Sequence, residues 1–167
     1  MTREEVAAIL QRRTDAINSH DVAALNVLYS PDCMVESPMA AGTVQGRQAV
    51  SKVFQALFEA FPDLSFTPDI VVIDGNTVAS AGWITGTYTG GFMGLPPTGK
   101  EFALPMVILS TLRDGRIADE RRIYDFTSML VQVGILKAKA SAAIAARIAA
   151  VGSPRVGPAP PVSGGVT

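Results

Sequence analysis

The chain has one cysteine, Cys33, and one histidine, His20, in 167 residues. A single thiol excludes an internal disulfide and a cysteine-rich metal centre. No Cys, His or clustered carboxylate accompanies His20 at ligand spacing, so no metal site is expected. His20 reads as a structural residue at a helix junction, and Asp21 beside it as an N-cap. Charge is also scarce. Only 17% of residues are charged, 14 basic against 15 acidic, for a net charge of −1. That balance provides no electrostatic footprint for nucleic acid or an anionic membrane. There is no run of about eighteen apolar residues, the length a transmembrane helix needs. The charged start, Met1-Thr2-Arg3-Glu4-Glu5, is unlike a signal peptide. The expectation is a cytoplasmic, soluble protein with no cofactor.

What is abundant is apolar surface, 48% of residues. In a small domain this points to hidden surface: a pocket, a dimer interface or both. Thr2 and Glu5 fit a capping box, and Val6, Ile9, Leu10 and Ile17 follow near helical spacing, predicting a helix over 3–18. Asn18-Ser19-His20-Asp21 breaks it. Leu25, Leu28 and Tyr29 predict a short second helix stopped near Pro31, and 33–37 a short strand. Val50, Val53, Phe54, Leu57, Phe58 and Phe61 form a clear helical stripe ended by Pro62-Asp63. The period then changes to two, predicting strands over 65–73, 77–89, 101–112 and 116–125. Asp74-Gly75-Asn76 and Arg113-Asp114-Gly115 read as tight turns. Pro68 requires an edge or a bulge. After Asp125 a helical pattern returns, with Leu136, Ala140, Ile144 and Ile148 repeating every four residues. Residues 1–150 read as one domain and 151–167, rich in Pro and Gly, as a disordered tail. Helices followed by a run of strands predict an α+β fold.

Between two β-rich segments lies Gly86-Thr87-Tyr88-Thr89-Gly90-Gly91-Phe92-Met93-Gly94-Leu95-Pro96-Pro97-Thr98-Gly99. Its glycines and prolines preclude a regular element. The large apolar Phe92, Met93 and Leu95 suit a loop closing over an apolar cavity. A strand follows Pro96-Pro97 where a phosphate-binding loop would need a helix.

Together with Asn18-Ser19-His20-Asp21, Phe61-Pro62-Asp63-Leu64, Arg113-Asp114-Gly115-Arg116-Ile117 and Asp125-Phe126 with Gln132-Val133-Gly134, this loop resembles the SnoaL-like polyketide cyclases of the NTF2-like superfamily. The resemblance spans about residues 3 to 136. It implies a cone: a curved antiparallel sheet with helices packed on its concave face, usually a homodimer through the outer faces, and a cavity for a polyketide-like small molecule. Aldol cyclases of that family carry an Asp acid/base where this chain has Arg122, and a pocket His and Gln where it has Ile108 and Met106. Arginine stays protonated and abstracts no proton.

On the last strand Ala118, Glu120, Arg122 and Tyr124 share one face, which the resemblance turns toward the cavity. Glu120 and Arg122 read either as a structural ion pair or, with Tyr124, as a polar anchor for a substrate carbonyl or carboxylate. Glu36 is a further candidate, a loop carboxylate or a group at the cavity mouth. The candidate catalytic set is Arg122, Tyr124, Glu120 and Glu36. Candidate substrate contacts are Tyr88, Phe92, Met93 and Leu95 on the loop, Met106 and Ile108 on the neighbouring strand, Phe58, and Trp83, which suits the cavity or a dimer contact equally. Asp63 and Asp125 read as structural, capping helices or pairing with arginines. Ser110 lacks a nucleophile-elbow context.

Three functions fit. One is a cyclase in polyketide-type biosynthesis that works mainly by shape, an intramolecular cycloaddition being the ring closure that least needs a proton shuttle. The second uses Glu36, Glu120 or Asp125, its pKa raised by burial, as a base for aldol closure, isomerisation or epoxide opening. The third is a non-catalytic binding or assembly module, since fold does not fix function.

Overall fold

The computed structural model describes residues 1–40, 42–92 and 94–137. Met93, the Ala140, Ile144 and Ile148 stripe and the proposed boundary at 150 lie outside them. The first helix, α1 (Arg3–Asn18), starts as its sequence predicts: the Thr2 hydroxyl accepts from Glu5 N, and the Glu5 carboxylate accepts from Thr2 N. It buries Val6, Ile9, Ala16 and Ile17, and also Arg13. Its end is pinned to a later strand, because Asn18 both donates to Phe66 O and accepts from Phe66 N. His20 turns the chain at φ 56°, bonds Leu64 O through Nε2 at 2.9 Å, and stacks on Phe58 at 4.4 Å. Asp21 caps α2 (Val22–Leu28) by accepting from Ala24 N.

The chain becomes extended earlier than expected. Strand β1 runs Tyr29–Ser37, so Tyr29 belongs to the strand, and Pro31 lies inside it. Pro31 is tolerated because the pairing of β1 slips between Tyr29 and Met34. A short β2 (Gly42–Gln45), absent from the sequence expectation, pairs with β1. Helix α3 (Arg47–Ala60) buries Val50, Phe54, Leu57 and Phe58. Then come β3 (Ser65–Asp74), β4 (Thr77–Thr87), β5 (Glu101–Arg113), β6 (Arg116–Ile123) and the short α4 (Phe126–Gln132), N-capped by Asp125. Pro68 lies on an edge strand and beside a register shift, meeting both conditions set by its missing N–H. The β5–β6 turn holds Asp114 and Gly115 at φ 51° and 72°, the left-handed pair a two-residue hairpin demands.

Among the described residues the six strands form one curved sheet in the order β2-β1-β6-β5-β4-β3. The sheet is mixed, which corrects the expected antiparallel one: β1 and β6 run parallel, with Val35 opposite Glu120. A parallel pair needs a long crossover, and here β2, α3 and strands β3 to β5 supply it. Alternate residues of β4, β5 and β6 face the helices. Phe102, Leu104, Met106, Ile108 and Leu112 form the sheet side of the core, against Val50, Phe54 and Leu57. The opposite face leaves Ile70, Val72, Trp83, Leu109 and Ile123 exposed. No helix among the described residues is long and apolar enough to cross a membrane.

Candidate active site

Strand β6 turns Glu120 and Arg122 inward, the face that the family resemblance implied and that alternation alone left open. Glu120 and Arg122 are only 3% and 7% exposed, and Arg121 between them points out. Buried charge is costly without partners, and Glu120 has three. Its Oε1 accepts from Arg122 Nε at 2.6 Å. Its Oε2 meets Arg13 Nη2 at 2.9 Å and accepts from the Tyr29 hydroxyl at 2.8 Å. Tyr29 in turn accepts from Arg13 Nε at 3.2 Å. Burial pushes the Glu120 carboxyl up, but Arg13 and Arg122 outweigh it and hold the pKa at about 2. Burial likewise opposes the charge on Arg13, and Glu120 more than restores it. Burial raises the Tyr29 phenol, keeping it a neutral donor.

Arg122 is the member left open. Its guanidinium lies over the Phe54 ring at 4.6 Å. Among the described residues, its buried Nη2 is the one buried side-chain nitrogen or oxygen without a hydrogen-bond partner. Arg122 lines an inner cavity of about 30 Å³ with Ser37, Met39, Ile84, Phe102, Met106, Tyr124 and Met129. Tyr124 and Ser37 hydroxyls are 3.3 Å apart across its rim. Burial raises the Tyr124 phenol, so it stays protonated at neutral pH.

A second cavity of about 110 Å³ lies under the glycine–proline loop, with an apolar lining that includes Phe61, Tyr88, Phe92, Leu95, Phe126 and Leu130. Met129 of α4 borders both spaces. The loop is held shut from within. Tyr88 is buried, and its hydroxyl accepts from Phe92 N at 3.0 Å and donates to Leu95 O at 2.7 Å. Gly90 packs so close to α3 that a Cβ there would sit 2.0 Å from Glu59 O. Asp63 accepts from both the amide and the hydroxyl of Thr87, which ties the loop's first strand to the end of α3 and holds the carboxyl below its usual range.

The interior is therefore much less hollow than expected, since ligand pockets typically measure roughly 300–1,000 Å³. Arg122, Tyr124 and Met106 meet at the inner cavity, and Tyr88, Phe92 and Leu95 at the outer one. The other candidates fall elsewhere. Trp83, 45% exposed, is on the outer face, because its odd position in β4 opposes the inward Gly82 and Ile84. Glu36 is exposed and pairs with Arg121, and it lines an open cleft of about 380 Å³ together with Arg122 and Tyr124. Glu120 is at the site but locked in its network, ionised and with both oxygens engaged, the reverse of a base with raised pKa. Ile108 and Phe58 are core residues lining neither cavity, Phe58 being covered by His20. Sequence reasoning missed Arg13, whose only signal was a charge inside the apolar stripe of α1, and Met129, on a helix with no strong periodicity.

A family model described as SnoaL-like polyketide cyclase matches residues 7–133. Among solved structures, IdmH from Streptomyces antibioticus, a proposed polyketide cyclase, is 33% identical with a TM-score of 0.67, covering 77% of this chain and 98% of that one. AclR from Streptomyces galilaeus, a proposed hydroxylase, is 25% identical with a TM-score of 0.71, covering 81% and 100%. A protein from Catenulispora acidiphila with a ketosteroid isomerase-like fold, 21% identical, covers 75% and 92% at a TM-score of 0.66, which speaks to fold alone. A steroid Delta-isomerase from Nocardioides simplex is 40% identical over 53 residues, and the match spans 32% of this chain and 43% of that protein.

Proposed function

This chain belongs to the SnoaL-like polyketide cyclase family, and on that premise we propose that it closes a ring in a bound, largely apolar polyketide-type chain, mainly by imposing shape. The observation that carries the reading is the free Nη2 of Arg122, which shares with Tyr124 the wall of an apolar space whose lining among the described residues holds no carboxylate or imidazole. Two fixed donors next to apolar walls suit a reaction that needs a polarised carbonyl and no proton shuttle. An intramolecular cycloaddition is such a reaction. Holding both ends of a flexible chain in a reactive arrangement is worth about 7–11 kcal/mol in the best cases. Donors aimed at a carbonyl add a smaller electrostatic term.

A substrate of that size needs more room than the two spaces provide, so binding displaces Met129 and joins them. Helix α4 is suited to this movement. It is seven residues long, and its hydrogen bonds to its surroundings are Gln132 with Ala103 of β5 and, just past its end, the Thr98 hydroxyl of the loop donating to Val133 O. The exposed apolar row on the outer sheet face supports a homodimer packed through it.

The test is ring closure of a linear polyene carrying an activated alkene, followed chromatographically with Arg122→Gln and Tyr124→Phe. Each variant is expected to slow closure by about tenfold to a hundredfold, consistent with roughly 1.4–3 kcal/mol of lost polarisation. The wild-type rate is expected to be flat between about pH 6 and 9. Complete loss in a folded Arg122→Gln protein, or a bell-shaped profile, would replace the shape-driven mechanism with proton transfer. The isomerase relative favours that second reading. In it the Tyr124 hydroxyl, kept protonated by burial, is the proton donor, because Glu120 is locked and Glu36 and Asp125 are committed elsewhere.

A further inference from the structure

The buried charges at this site do not cancel. Arg13 and Arg122 contribute two positive charges, and Glu120 one negative. The two tyrosines beside them are held neutral by burial. Neighbouring carboxylates give no relief, since Glu36 pairs with Arg121 on the outer face and Asp119 is exposed. Both Glu120 oxygens are already engaged, so the surplus charge is on Arg122, the residue whose Nη2 lacks an acceptor. A neutral carbonyl would satisfy the N–H but leave the charge uncompensated. An anionic oxygen does both, and charge-assisted bonds of this kind are about twice as strong as neutral ones. Beyond Met129 the adjoining cavity presents only apolar surface.

From this pairing we propose that the ligand is an amphiphilic anion. A carboxylate or enolate oxygen at one end meets Arg122 Nη2, and an apolar chain runs past Met129 into the space lined by Phe61, Phe92, Leu95 and Leu130. The inference rests on the reading that this interior takes an organic chain. It does not rest on ring closure. It turns Arg122 from a group that only polarises into one that selects the end of the substrate, fixing which end enters first.

The test uses three probes with one chain length: octanoate, 1-octanol and octylamine, titrated calorimetrically into the intact protein at neutral pH. Octanoate is expected to bind at least about tenfold more tightly than octanol, equivalent to about 1.4 kcal/mol, and octylamine more weakly than either. The preference is expected to vanish in Arg122→Gln and to return in Arg122→Lys, which restores the charge. Equal binding of octanoate and octanol would overturn the anionic ligand and leave the cyclase reading standing. Tighter binding of octylamine would overturn it as well. Failure of all three probes to bind would overturn both readings, because the interior would then accept no chain at all.

Discussion

Replacing Glu120 by Gln removes the only negative charge from a buried cluster and leaves Arg13 and Arg122 facing a neutral amide. Breaking a buried ion pair in this way typically costs about 3–5 kcal/mol. The depressed pKa of Glu120, which those same arginines cause, corresponds to a cost of similar order. Its carboxyl falls from an ordinary 4.5 to about 2 in the fold, and at 1.36 kcal/mol per pH unit this is about 3 kcal/mol. Because the folded pKa is depressed, that stability is fully present above about pH 4.5 and is lost as pH falls through about 2. Urea unfolding followed by circular dichroism at pH 7 is therefore expected to show Glu120→Gln about 3–5 kcal/mol less stable than wild type. In a domain of this size that corresponds to a melting point roughly 10–15 °C lower. The difference is expected to narrow as both proteins are titrated from pH 5 toward pH 2, since only the wild type has this carboxylate to lose. A loss below about 1 kcal/mol at pH 7, or parallel pH curves, would refute the claim that the network holds Glu120 ionised and bound.

Two further substitutions probe the interior and the loop. Met129→Ala is expected to fuse the inner and outer cavities, to cost about 2–5 kcal/mol as a large-to-small core change, and to enlarge the thermal stabilisation by octanoate relative to wild type; an unchanged octanoate shift would show that Met129 does not divide the two spaces. Gly90→Ala forces a Cβ against Glu59 O and is expected to cost more than about 2 kcal/mol, whereas Gly91→Ala, whose nearest neighbour is Leu95 O at 3.6 Å, is expected to be near neutral by thermal melt.

Much of the fold was legible because it is local. The stripe on α3, the turns at Gly75 and at Asp114-Gly115, and the proline-marked bulge of β3 are each specified within a few residues. Period two separated the two faces of β6, but only the family resemblance pointed to the inward one, because both faces carry charge. What stayed hidden depends on partners far apart in the chain. Nothing near Arg13 announces that its acceptor is Glu120, and an arginine within a helical stripe ordinarily reads as solvated. The parallel pairing of β1 was equally silent, because neither strand encodes its direction relative to the other. Trp83 stayed open between the cavity and the outer face for a different reason: both faces of β4 carry small and apolar residues, so alternation alone did not say which face is covered. The near-closure of the interior could not be read either, since it is set by how far Met129 and the loop side chains settle into the space.

The parallel seam between the first strand and the last has a consequence for synthesis. Tyr29 lies opposite Ile117, and Glu120 opposite Val35, so the sheet cannot be completed until the final β-segment has left the ribosome. Until then the Arg13 guanidinium has no counter-ion to follow into the interior, and the amino-terminal helices cannot dock as they do in the finished protein. Chains are made from the amino end at about 5–20 residues per second, so that wait lasts for seconds. Nascent chains stalled before residue 116 are expected to remain protease-sensitive throughout, and protection is expected to arrive in one step once that strand emerges.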